Sequence, residues 1–221
     1  MCHVLLESVP QNGQINMDID ESLLEQTIHE PITVLRFYRW AEPTLSLGHF
    51  QKESSENVPE SCAKLARVKR LSGGGAILHH HEWTYSLVIP AQHPFAMTPT
   101  ALYDIVHEIW IKVGQDLNIQ LKPRGKLEAE KEGQFLCYLR GDPHDVMLGE
   151  HKIVGSAQRR RKGAVLQHGS FLWKQSEYLP QIPGVSDFTQ LTESNFVKVP
   201  NLFLTHWSPQ IADSYIISAA K

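Results

Sequence analysis

Between Asp145 and Trp173 the chain leaves little choice of fold. Three apolar runs, about Asp145 to Leu148, Lys152 to Arg160 and Ala164 to Trp173, are separated only by Gly149-Glu150 and Arg161-Lys162-Gly163. Short runs divided by turn residues read as consecutive strands of a meander. The middle strand carries Gly155-Ser156-Ala157, small residues that leave backbone open to a close neighbour. Lys152 opens that strand and Cys137 precedes it by one loop, so the meander can bring a thiol and an ammonium to one end of a sheet.

A cysteine reacts as its thiolate, which an unperturbed thiol forms only to a few per cent at neutral pH. A nearby ammonium favours the anion. Read from its neighbours alone, Cys137 is either a nucleophile or a small buried hydrophobe, the ordinary state of a free cysteine. Cys2 and Cys62 read as buried hydrophobes. Three scattered cysteines match neither a disulfide framework nor a zinc site, which suits a reducing compartment.

At 221 residues, 42% hydrophobic and 20% charged, the chain suits one large domain spanning residues 1–221, and a net charge of -3 argues against general nucleic-acid binding. The N-terminus lacks the pattern of a signal peptide, and no stretch approaches the roughly 20 apolar residues of a membrane helix. A cytoplasmic location is expected.

Along the chain, Asn16 reads as a helix cap followed by acids, with Leu23, Leu24, Thr27 and Ile28 on the buried face and an end before Pro31. Ile32 to Trp40 and Thr44 to Leu47 read as strands around Ala41-Glu42-Pro43, and Ser54 to Ala66 as a helix. Arg67 to Arg70 reads as a strand entering the bend Gly73-Gly74-Gly75. Trp83 to Ile89 alternates with the period of a half-buried strand, and His80, His81 and Glu82 read as the turn before it. Thr98-Pro99 caps a long helix whose apolar face is Leu102, Ile105, Val106, Ile109, Val113 and Leu117. Lys122 to Gln134 reads as a mobile loop, and the segment after Trp173 is ambiguous.

The three glycines can expose amide N–H groups to a carboxylate, phosphate or acyl carbonyl, and Lys69 and Arg70 add positive charge beside them. His79-His80-His81 invites a metal reading. Neighbouring strand residues point to opposite faces, however, and no carboxylate or cysteine has ligand spacing, so no metal is expected. His168 reads as a core histidine bonded to backbone. Arg159-Arg160-Arg161-Lys162, at a hairpin tip, is either a solvated turn or a docking patch for an acidic protein.

Taken together, these motifs resemble a known family. Arg70-Leu71-Ser72-Gly73-Gly74-Gly75-Ala76-Ile77-Leu78-His79 with Thr84-Tyr85-Ser86 is similar to the glycine-rich signature of the lipoate-protein and biotin-protein ligase superfamily. Lys152-Ile153-Val154-Gly155-Ser156-Ala157-Gln158 with Gln167-His168-Gly169-Ser170 resembles its lysine motif and the strand after it. Asn16-Met17-Asp18 and Pro43-Thr44-Leu45-Ser46-Leu47-Gly48 resemble its early segments, so the likeness covers about Asn16 to Trp173.

The resemblance implies a mixed α/β fold related to the class II synthetase catalytic core, with a largely antiparallel sheet and packed helices. It implies an acyl tunnel between the glycine-rich strand and the lysine strand, lined by Arg70, Ser72, Gly73, Gly74, Gly75, His79, Gly155, Ser156, Ala157, His168 and Gly169, with Lys152 at the acyl carbonyl. One octanoyltransferase branch carries a nucleophilic cysteine in the loop before the lysine motif, and Cys137-Tyr138 resembles its cysteine-aromatic pair, with tyrosine where phenylalanine is usual. That branch implies transfer of octanoyl from octanoyl-acyl carrier protein through Cys137 to a lysine of a lipoyl domain of a 2-oxoacid dehydrogenase E2 subunit or of glycine cleavage H protein, without cofactor. The expected state is a monomer without an accessory C-terminal domain. The alternative is ATP-dependent lipoate ligation through lipoyl-AMP.

Overall fold

The computed structural model describes residues 1–52, 57–126 and 134–219. It opens with β1 (Cys2–Leu6) and α1 (Gly13–His29), then β2 (Thr33–Tyr38), β3 (Thr44–Leu47), β4 (Ala66–Lys69), β5 (Ile77–His79) and β6 (Glu82–Ile89). After α2 (Pro99–Asp116) and β7 (Lys122–Pro123) come β8 (Val146–Leu148), β9 (His151–Arg161) and β10 (Ala164–Leu172). Two short helices, α3 (Glu193–Phe196) and α4 (Val199–Thr205), precede β11 (Tyr215–Ala219).

The larger sheet runs β11-β1-β2-β6-β10-β9-β8-β7, parallel at β11-β1-β2 and antiparallel beyond. The smaller sheet runs β4-β3-β5. The meander expected in 145–173 is β8, β9 and β10, joined by turns in which Gly149, Lys162 and Gly163 all have positive φ. β2 and β3 are both strands, but they belong to different sheets.

α2 presents the expected face to one side of the larger sheet, and its buried Trp110 stacks on Phe171 at 5.0 Å between centroids. Thr98 stands at its N-cap position without a side-chain capping bond, and Pro99 takes the first turn. α1 packs on the other side, against β6, β10 and β4. β6 is therefore covered on both faces, and all eight residues are buried rather than half-buried. Its polar positions survive because each has a buried partner: Thr84 Oγ1 donates to Glu82 Oε1 (2.6 Å) and Ser86 Oγ to Asp20 Oδ1 (2.8 Å).

α1 begins one turn earlier than the sequence suggests. Asn12 is the cap, its Oδ1 accepting from Ile15 N at 2.9 Å, and the first turn carries Gln14, Ile15 and Asn16 rather than acids. Asn16 is buried, with its Oδ1 accepting from Arg36 Nη2 at 2.7 Å. Leu24 and Thr27 are buried as expected, whereas Leu23 and Ile28 are only half-buried. Arg36 is itself enclosed, donating to Glu7 Oε1 at 2.5 Å and Asp20 Oδ1 at 2.8 Å.

Three other expectations change. The helix expected over Ser54 to Ala66 is a 3-10 turn, Glu60–Cys62, with residues 53–56 outside those described. Pro59 removes a donor just where a helix would need one. The stretch from Lys122 begins with β7, paired to β8, and residues 127–133 lie outside those described. At the hairpin tip, Arg161 pairs with Glu21 (3.0 Å) and Glu25 of α1, and Arg160 donates to Ala96 O, so part of the basic cluster is engaged within the fold. Cys2 and Cys62 are buried, and burial pushes the Cys2 thiol up to about 12. No helix among the described residues is long and apolar enough to cross a membrane.

Candidate active site

The glycine bend and the cysteine segment are held by backbone pairing. Ala76 N donates to Phe135 O and Cys137 N to Ala76 O, both at 2.8 Å. A Cβ on Gly75 would lie 2.8 Å from both Cys137 N and Phe135 O, so only glycine admits this approach. Cys137 then opens a 3-10 turn, Cys137–Leu139, which leaves its side chain half-buried.

The lysine arrives from β9, where the register with β8 slips by one residue between Val146↔Val154 and Met147↔Lys152. Such a bulge re-aims a side chain. Lys152 Nζ lies 4.0 Å from Cys137 Sγ, 2.7 Å from Asp145 Oδ1 and 5.4 Å from the centre of the Tyr138 ring. Asp145 is also bonded by Arg124 Nε (3.2 Å) and Asp142 N (2.9 Å). Burial pushes its carboxyl up, and the Lys152 ammonium opposes that shift. Asp145, which the sequence placed only as the start of a strand, thus sets where the ammonium sits.

Beside this pair runs a mostly apolar cavity. Cys137, Tyr138, Gly155, Ser156, Ala157, His168, Gly169, Arg70 and His79 face it, as do Met17 and Ile77, which lie in the quoted motifs without an assigned role, and Tyr38 and Trp40, which the sequence placed only in a strand. The signal for those four was present only as apolar positions on α1, β5 and the β2 segment. A Cβ on Gly169 would meet Gly155 O and Ser156 Oγ at 2.5 Å, which keeps the cavity wall thin. Lys152 faces an adjoining groove with Arg124, Arg140 and His151, and Tyr138 borders both spaces.

The glycine-rich bend acts chiefly as structure. Arg70 turns back on it, donating through Nη2 to Gly73 O (2.8 Å) and Gly75 O (2.6 Å) and through Nη1 to Ser46 O (3.0 Å). Ser72, Gly73, Gly74 and Gly75 border the wall rather than facing the cavity. His168 bonds side chains, contrary to the expected backbone partner: its Nε2 lies 2.5 Å from Ser72 Oγ and its Nδ1 3.5 Å from Asp20 Oδ2. Burial raises the Asp20 carboxyl, but His168 and Arg36 outweigh it and hold the group below the usual range.

His79 is stacked on Trp40 at 3.9 Å and bridges Glu82 Oε1 (2.6 Å) and Ser46 Oγ (2.7 Å). A carboxylate only accepts, so Nδ1 carries the proton and Nε2 accepts from Ser46. His80 and His81 form the bend between β5 and β6, as the expected turn requires, while Glu82 already belongs to β6; the two rings therefore do not alternate across a strand but stack on each other at 3.6 Å beside Glu177. Burial lowers both imidazoles.

Ser156 closes a chain that begins at Gln167: Gln167 Nε2 donates to Tyr85 Oη (3.1 Å), Tyr85 lies 2.6 Å from Ser156 Oγ, and Ser156 lies 2.7 Å from His107 Nε2. His107 Nδ1 faces the carbonyl of His144, so Nδ1 is the donor and Nε2 the acceptor. Burial pushes His107 down to about 4.

Residues 12–195 match the family described as the lipoyl protein ligase A/B catalytic domain. The chain belongs to that family. Among curated relatives of this family, octanoyltransferase LipM of Carboxydothermus hydrogenoformans is 39% identical over 173 residues, covering 74% of this chain and 62% of that protein. Octanoyltransferase LipM of Bacillus subtilis is 36% identical over 179 residues, covering 76% of this chain and 64% of that protein. The chain thus spans under two thirds of the length of these relatives. Among solved structures, protein Ta0514 from T. acidophilum with bound lipoic acid superposes with a TM-score of 0.78 at 23% identity, over 99% of this chain and 89% of that one. A lipoate-protein ligase A bound with ATP gives 0.77 at 21% identity, over 100% and 90%. These likenesses carry the fold: the mixed α/β lipoyl-ligase architecture that the motifs implied.

Proposed function

We propose that this chain is an octanoyl-[acyl carrier protein]:protein N-octanoyltransferase working through a thioester on Cys137. The observation that carries the reading is the Lys152 ammonium 4.0 Å from Cys137 Sγ at the edge of an apolar cavity. Relatives at 33–39% identity that bear the octanoyltransferase LipM name support it.

In the first step the Cys137 thiolate attacks the carbonyl carbon of octanoyl-acyl carrier protein. The new Sγ–C bond forms, the donor's C–S bond breaks, and the carrier leaves as its thiolate, which takes up the proton that Cys137 gave up on ionising. In the second step the neutral amine of an acceptor lysine attacks the acyl-enzyme, the N–C bond of the amide forms, the C–Sγ bond breaks, and the proton lost by the amine passes to the departing Cys137 sulfur. The acceptor is a lipoyl domain of a 2-oxoacid dehydrogenase or a glycine cleavage H protein. Covalent capture lets two carriers use one site in turn.

Lys152 stabilises first the thiolate and then the oxyanion, a role in which one well-placed donor supplies about 3 kcal/mol. Asp145 fixes the ammonium but also offsets part of its field. The cavity bounded by Gly155, Ser156, Ala157, His168 and Gly169 takes the apolar chain, and the polar groove beside Lys152 admits the carrier.

The test is intact mass after incubation with octanoyl-acyl carrier protein. One added octanoyl group, absent in Cys137→Ser and discharged by an acceptor domain, is the expected result. Formation of AMP from ATP and free lipoate with Cys137→Ser fully active would replace this reading with lipoate ligation.

A further inference from the structure

Of three consecutive histidines, His79 belongs to the buried network around Glu82, whereas His80 and His81 serve nothing in the acyl-transfer chemistry. They occupy the bend between β5 and β6, half-buried, with their rings face to face. Glu177, from the loop after β10, reaches the same point: one donor atom from each residue lies within 4.8 Å of the others. His80 Nδ1 is 3.6 Å from Glu177 Oε2 and 3.0 Å from Ser176 Oγ.

A second observation points to a cation here. Glu82 borders both cavities that flank His80 and His81, and its Oε2 is buried with no hydrogen-bond partner among the described residues. A buried carboxylate oxygen left unsatisfied favours positive charge nearby, and Lys174, which lines the same two spaces, supplies only part of it from an exposed position.

We propose that His80, His81 and Glu177 form a binding site for a divalent transition-metal ion of the zinc type. Imidazole nitrogen with carboxylate oxygen is a zinc donor set, and it discriminates against calcium and magnesium, which take oxygen ligands. Donors around a tetrahedral ion bound at these lengths lie roughly 3.3 Å apart. Glu177, with a side chain 67% exposed, is free to turn toward the ion, and the half-buried His80 and His81 rings, now 25° from parallel, must swing apart so that each ring plane meets it. Water completes the coordination from the adjoining space.

The bound ion joins the loop after β10 to the β5–β6 bend. That bend is already anchored, since His81 O accepts from Trp173 N (3.0 Å) and Lys174 N (3.3 Å). Its two ends are His79, which faces the acyl cavity, and Glu82, which bonds it. The site is independent of whether Cys137 is acylated.

The experiment is titration of the chelator-treated full chain with Zn2+ alone by calorimetry, and with Co2+ by visible absorption, in a Cys137→Ser background that removes the competing thiolate. One equivalent bound, with affinity at least tenfold lower in Glu177→Gln and in His81→Asn, is the expected result. Glu177 is exposed, so its variant keeps the fold, which a thermal melt checks for both. Absence of stoichiometric binding, or affinity unchanged in either folded variant, overturns the proposal.

Discussion

Gly155 stands beneath the side chain of Lys152: a Cβ there would fall 2.3 Å from Lys152 Cε and 2.9 Å from Nζ. The small residue that sequence reasoning read as an opening for substrate is also what lets the lysine fold back over its own strand. Gly155→Ala must push a flexible side chain aside, which displaces the ammonium from Cys137 and Asp145. A tenfold or larger drop in the rate of Cys137 acylation is expected, read by intact mass against time. Gly75→Ala differs, because its Cβ meets backbone at 2.8 Å. It should lower stability by about 1–3 kcal/mol in urea unfolding.

Lys152→Met removes the nearer partner of a buried pair and leaves Asp145 with Arg124 alone as counter-ion among the described residues. Breaking such a pair costs about 3–5 kcal/mol. Lys152→Met with Asp145→Asn removes the stranded charge and should recover much of the stability. It should not recover acyl transfer, which is expected to stay about a hundredfold down. Urea unfolding and acylation rates on the same samples separate the two effects.

The His107 imidazole, held down to about 4 by burial, titrates near its ordinary 6.5 once the chain unfolds. Between these values the unfolded chain binds more protons, so stability rises with pH across that window. The contribution is complete above pH 6.5 and is lost as pH falls toward 4, an effect of about 3 kcal/mol. In His107→Gln the slope of unfolding free energy between pH 4.5 and 6.5 should flatten. An unchanged slope would mean that other groups carry the acid sensitivity.

Arg36 ties β1, β2 and α1 through Glu7, Asp20 and Asn16 while wholly enclosed. Arg36→Met takes the ion-pair partner from buried Glu7 and leaves Asp20 with His168 alone as a basic partner, and it should cost about 3–5 kcal/mol by urea unfolding. The Asp20–His168 contact shares that network and His168 bonds Ser72, so the loss is expected to reach the cavity wall as weaker protection from hydrogen exchange of the His49 amide, which donates to Ser72 O at 2.8 Å.

The strands of the meander, the helix α2 and the glycine bend were legible locally because periodicity and turn residues specify them within a few positions. The same holds for Cys137 and Lys152 as a pair, separated by one loop and one turn. β1 and β11 were not legible: they pair only with each other and with β2, from opposite ends of the chain, and their pattern carries no strong period. Over Ser54 to Ala66, expected as a helix with an irregular start at Pro59, the described residues form only the 3-10 turn Glu60–Cys62, because a proline lacks the N–H that would extend it.

Sequence alone marked Cys137 and Lys152 as neighbours and gave the order of the meander strands, since side-chain type and local spacing are written residue by residue. Tertiary structure alone decided where those groups point. The slip between β8 and β9, the buried Asp145, and the Met17, Tyr38 and Trp40 wall all come from segments that meet only after folding. Close packing and the need to satisfy each buried charge select those meetings, and neither is readable from neighbours along the chain.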